Sequence, residues 1–123
     1  MTTMFEEIAA MNLEIGEREF ARDREYFEKH LAPAFAMQRA NPERTIVDRS
    51  KFLTDLGTAT PKPRTTHVDS ISLVSQDRLV VVCVVTMDGQ RYHNLRIFVR
   101  NRKRESAADP EWLILAWANE PLT

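Results

Sequence analysis

The sequence predicts an α+β domain in which helices come first and a mainly antiparallel sheet follows. Two observations carry this prediction. Over residues 4–20 apolar side chains recur at helical spacing, and from Thr65 onward four strand-length runs rich in β-branched and aromatic residues follow one another. The length fits a single domain spanning residues 1–123: with 43% of its residues apolar, a chain of this size buries roughly two thirds of its unfolded surface.

The first helix rests on Met4, Ile8, Met11 and Ile15, spaced four, three and four apart, with Glu6, Glu7, Glu14 and Glu17 elsewhere around the axis. A second helix opens at Asp23, whose carboxylate can accept from free backbone N–H groups, and stops near Leu31 because Pro33 cannot continue it. The stretch "AFAMQRAN" then has the length of a short strand before a turn at Asn41 and Pro42. A third helix begins at Asp48, buries Phe52, Leu53 and Leu56, and is expected to end at Gly57, the residue type most at ease in the left-handed conformation past a helix end. The strands are "TTHVDSISLVS", "RLVVVCVVTM", "QRYHNLRIFVRNR" and "EWLILAWANE", with Asp88 and Gly89 forming the turn between the second and third of these. Residues Leu79 to Met87 are apolar at nearly every position, whereas a half-exposed antiparallel strand alternates. Both faces of this strand are therefore expected to be covered, one by the helices and the other by a second copy of the chain, which predicts a homodimer or larger homo-oligomer.

Composition narrows the function classes. Seventeen basic against eighteen acidic side chains generate no global field that would draw the protein to nucleic acid or to an anionic membrane. The basic run Arg100, Arg102, Lys103 and Arg104 falls at a hairpin tip, where charge is the solvated choice. The three glycines form no phosphate-binding loop, so no nucleotide cofactor is expected. His30, His67 and His93 have no metal-ligand spacing, and the lone Cys83 offers neither a disulfide nor a thiolate environment; no metal is expected, and the location read from the chain is cytoplasmic. His30 sits where a helix C-terminus favours a donor.

The order of elements, together with "ARDREYFEKHLAPAF", "VDRSKFLTDL" and "NLRIFVRNR" followed by "EWLILAWANE", resembles the nuclear transport factor 2-like superfamily. Ketosteroid isomerases, SnoaL-type polyketide cyclases and the association domain of calcium/calmodulin-dependent kinase II share that fold. The resemblance implies a cone: three N-terminal helices packed in a strongly bent, mainly antiparallel sheet, with a cavity at one end. It also decides which face of the fourth predicted strand points inward. Alternation puts Tyr92, Asn94, Arg96 and Phe98 on one face and His93, Leu95, Ile97 and Val99 on the other, and periodicity alone would bury the second set. The association domain has a pocket arginine at the position matched to Arg96, which implies that the first set faces the cavity, joined by Trp117 and Asn119 from the last strand.

Two chemistries follow from these placements. A guanidinium offers a planar fork of donors that matches a carboxylate, so Arg96 would hold a small organic acid oriented by Tyr92, Asn94 and Asn119, with Phe27, Met37, Phe98 and Trp117 as the apolar wall. Alternatively, Arg96 pairs with a local carboxylate such as Asp69 and only supports the fold. His67 and Asp69, two apart on one strand, are the acid–base candidates for a lyase, cyclase or isomerase, with Tyr92 as a further one. The positions matched to the isomerase carriers hold Gln38, Ile15 and Arg96, and the other two arginines of the association-domain pocket are matched by Val82 and Asn119. Neither function therefore transfers whole, and an assembly module without a small ligand is the remaining alternative.

Overall fold

The computed structural model describes residues 3–58 and 60–122. Helix α1 (Met4–Phe20) is capped by Thr3, whose side chain accepts from the Glu6 backbone N–H. Helix α2 (Arg24–His30) is capped by Asp23, whose Oδ1 accepts from Tyr26 N–H at 3.0 Å. Strands β1 (Leu31–Gln38) and β2 (Ile46–Asp48) precede helix α3 (Arg49–Thr58), and β3 (Arg64–Ser75), β4 (Arg78–Met87), β5 (Gln90–Arg100) and β6 (Trp112–Leu122) complete the chain. The six strands form one sheet in the order β2-β1-β6-β5-β4-β3, antiparallel throughout except for the parallel pair of β1 with β6.

Three local expectations are corrected. Strand β1 starts at Leu31, directly after α2, and includes Pro33. The register with β6 shifts between Leu31 and Ala36, so the proline sits where the ladder is interrupted and its missing N–H is harmless. The three-residue β2 was too short to leave a pattern in the sequence; it is fixed by the turn before it, where Asn41 Oδ1 accepts from Thr45 N–H at 2.9 Å. Helix α3 runs through Gly57 to Thr58, so Gly57 belongs to its last turn and does not end it. Its N-terminus is as expected, with Asp48 Oδ1 accepting from Lys51 N–H at 2.8 Å.

Helix α1 lies along β3, while α2 and α3 pack at the β1 and β6 end. Between helices and sheet, Phe27, Phe35, Phe52 and Trp117 meet edge-to-face or tilted, with centroids 5.2–6.0 Å apart. Strand β4 contributes Leu79, Val81, Cys83 and Val85 to this core, and Cys83 is a buried free thiol. Its alternate residues, Val80, Val82 and Val84, stand half-buried on the outer face of the sheet. The buried stripe of α1 is Ile8, Asn12, Ile15 and Gly16, with Met4 and Met11 only partly buried beside it. That stripe is rotated from the purely apolar one, and it carries an asparagine into the core. Among the described residues no helix is long and apolar enough to cross a membrane.

Candidate functional site

Strand β5 determines the site. Asn94, Arg96 and Phe98 are buried and Tyr92 is half-buried, while His93 on the opposite face is exposed. Arg96 is wholly buried, an unusual place for a guanidinium. Its Nη1 donates to Asn12 Oδ1 at 2.9 Å and to the Asn12 carbonyl at 3.1 Å, and its plane lies 4.3 Å from the Trp117 ring centroid. Its Nε is buried without a hydrogen-bond partner, as is Asn12 Nδ2. Burial lowers the Arg96 pKa, opposed by the nearby Cys83 and Glu19. The expected alternative, pairing with Asp69, does not occur: Asp69 lies beside His67 on the far side of the sheet.

A concavity of about 470 Å³ opens beside Arg96 at the end of the sheet. Met37, Tyr92, Asn94, Trp117 and Asn119 line it, and Val85 and Met87 add apolar wall. Phe27 and Phe98 do not: both are wholly buried in the packed core, Phe27 against Tyr26 and Phe52. The two asparagines are committed to bracing the indole. Trp117 Nε1–H donates to Asn94 Oδ1 at 2.6 Å and reaches Asn119 Oδ1 at 3.2 Å, and Asn119 Nδ2 donates to the Gln38 carbonyl at 2.9 Å. The amides of Asn94 and Asn119 are thereby largely used within the wall, and Arg96 and Tyr92 are the other polar members of β5 in the lining.

His67 and Asp69 do not reach this concavity. The His67 side chain is 82% exposed on the outer face of β3, 3.5 Å from Asp69, and pairs across the ladder with Val84. Inward and outward residues alternate along β3 from Arg64 to Asp69, which keeps Asp69 on the His67 side. Val82 likewise faces outward, flanked by the inward Val81 and Cys83, so the match of Val82 to a pocket arginine fails by one residue; along a strand such an offset reverses the face.

The cavity holds charged residues that the sequence reading did not single out: Glu19, Arg39, Lys62 and Arg64. Arg64 Nη1 donates to Glu19 Oε1 at 2.6 Å in a largely buried pair, Arg39 is paired with Asp55, and Lys62 lies 3.2 Å from Asp88. Burial raises the Glu19 pKa, while Arg64, Arg96 and Arg39 pull it down. The only signal for Asn12 and Glu19 in the sequence was their spacing from Ile8 and Ile15 at helical intervals, which read as a polar gap in the apolar stripe. Elsewhere the basic hairpin is tied down locally, Arg100 to Glu111 and Arg102 to Asp77, and His30 Nδ1 lies 2.8 Å from the Tyr26 carbonyl, where burial lowers its pKa. Among the described residues no group of three or more His, Cys, Asp or Glu side chains could hold a metal ion.

No family model and no curated protein matches the sequence. Solved structures do. A nuclear transport factor 2-like protein from Cytophaga hutchinsonii superimposes with a TM-score of 0.77 at 11% identity, covering 98% of this chain and 100% of the other. The chain has the nuclear transport factor 2-like fold. A second protein of that fold and of unknown function, from Silicibacter pomeroyi, gives a TM-score of 0.71 at 14% identity over 98% of this chain and 100% of its own. The calcium/calmodulin-dependent kinase II hub from S. rosetta gives 0.63 at 16% identity over 94% of each chain. At these identities the likeness establishes the nuclear transport factor 2-like fold, and function has to be argued from the site.

Proposed function

We propose that the cone cavity binds a small, partly apolar organic anion whose carboxylate is held by Arg96. The observation that carries this reading is the state of Arg96: a wholly buried guanidinium on the cavity wall, bonded to a neutral asparagine and, among the described residues, to no carboxylate. A charge removed from water whose nearby carboxylate, Glu19, is already hydrogen-bonded to Arg64 is costly, and an incoming anion would offset that cost. Apolar Met37, Val85, Met87 and Trp117 suit the body of such a ligand, and Tyr92 can contribute a hydroxyl. A thermal-shift screen of small aryl and alkyl acids tests the reading. Stabilisation of the wild type that disappears in Arg96→Met is expected; no stabilising acid, or an equal response of the variant, refutes it.

The half-buried outer face of Val80, Val82, Val84, Leu95 and Ile97 supports a second reading, compatible with the first, in which two copies of the chain pack sheet to sheet. Light scattering on a sizing column decides it, and a monomer at micromolar concentration removes it. The reduced, buried Cys83 suits a cytoplasmic setting.

A further inference from the structure

The charges around the cavity balance in a specific way. Arg39, Lys62 and Arg64 each have a carboxylate of this chain as ion-pair partner, Asp55, Asp88 and Glu19 respectively, whereas Arg96, among the described residues, hydrogen-bonds only to Asn12 and feels Glu19 through space. The four lining cations thus share three carboxylates, and Glu19, the one carboxylate among the lining residues, is hydrogen-bonded to Arg64 while it also acts on Arg96. We infer that Glu19 is the specificity-determining residue of this cavity: it restricts the ligand to a single negative charge and excludes dianions of the same shape. The inference rests on the reading of Arg96 as an anion site.

The physical reason is electrostatic. A monoanion seated on Arg96 neutralises the excess charge. A second anionic group on the same ligand would find Arg64 occupied and would face Glu19 in a partly dry pocket, where like charges repel strongly. Removing the Glu19 charge without removing its volume would reverse this, because Arg64 would then be free to take the second group.

The same geometry links binding to protons. Glu19 is acted on by Arg64 from β3, Arg96 from β5 and Arg39 just after β1, and it shares its cavity walls with Lys62 from the loop before β3, Arg22 after α1, Asp55 of α3, which pairs with Arg39, and Tyr92. Among the described residues no histidine lines the cavity, and Glu19 is the one carboxyl in its lining. Because its carboxyl is held above the ordinary range, protonation of Glu19 begins at a higher pH than for a solvated glutamate, and it removes the charge that opposes the ligand. Affinity for a non-titrating anion should rise as pH falls through that range, with a proton taken up on binding.

Isothermal titration calorimetry with benzenesulfonate and benzene-1,3-disulfonate, whose charges are constant from about pH 5 to 8, tests this on the wild type and on Glu19→Gln. The wild type is expected to prefer the monosulfonate by about tenfold or more, and Glu19→Gln to bring the two within about threefold. In the wild type, titrations in buffers of different ionisation enthalpy should reveal proton uptake, absent in Glu19→Gln. Should that variant fail to fold, wild-type selectivity and proton uptake still decide: equal affinity for the two ligands without proton uptake overturns the assignment. If the monosulfonate binds through Arg96 but Glu19→Gln changes neither selectivity nor proton uptake, only the role of Glu19 is refuted. If neither sulfonate binds, or binding is indifferent to Arg96→Met, the anion-site reading falls and this inference falls with it.

Discussion

Replacing Arg96 by methionine sets opposing effects against each other. The guanidinium is wholly buried, and exchanging a buried ionic group for an apolar side chain of similar volume is neutral to stabilising by about 1–4 kcal/mol. Against this, methionine gives up the stacking on Trp117, about 1–2 kcal/mol, and leaves Asn12 Oδ1 without its donor, about 1–3 kcal/mol. These contributions nearly cancel, so Arg96→Met should unfold within about 2 kcal/mol of the wild type. Adding Asn12→Leu removes the orphaned acceptor together with the Nδ2 that has no partner in the wild type, and the double variant should be more stable than Arg96→Met by about 1–3 kcal/mol. Urea unfolding followed by tryptophan fluorescence measures both, with the slope checking that the two-state analysis holds. A loss of more than about 4 kcal/mol in Arg96→Met at unchanged slope would mean that the guanidinium holds the core together. Arg96 would then be explained without a ligand, and the argument for an anion site would lose its basis.

Three further outcomes are expected. Phe52→Ala, at the centre of the cluster with Phe27, Phe35 and Trp117, should cost about 3–5 kcal/mol in the same assay. Gly57→Ala should stabilise by about 0.5–1 kcal/mol, read as a raised melting temperature, because Gly57 is helical and an added Cβ meets nothing within 4 Å. Val82→Glu places a charge on the outer sheet face without touching the core; if the sheet-to-sheet dimer proposed above forms, light scattering should show the variant as a monomer, and a dimer that persists in the variant would locate the contact elsewhere.

The sequence by itself determined the elements and their order, because amphipathic period, caps and strand-length runs are local properties. The Asp23 and Asp48 caps and the extents of α1 and β4 were legible for that reason. It was silent on β2, which is only three residues long, and misleading at Gly57, where packing of Phe52, Leu53 and Leu56 carries the helix past a residue that usually ends one. For the facing of β5 periodicity points the wrong way, since Leu95, Ile97 and Val99 form the more apolar set while Asn94, Arg96 and Phe98 are the buried one, and only the sheet's partners on each side choose between them. The tertiary structure alone brought Asn12 and Glu19 of α1 against Arg96 and Arg64 of strands some 45–84 positions away in the chain, and turned His67 and Asp69 to the outside. Charge pairing of this kind depends on distance in space and on exclusion of water, and neither is encoded in the spacing of residues along a strand or helix.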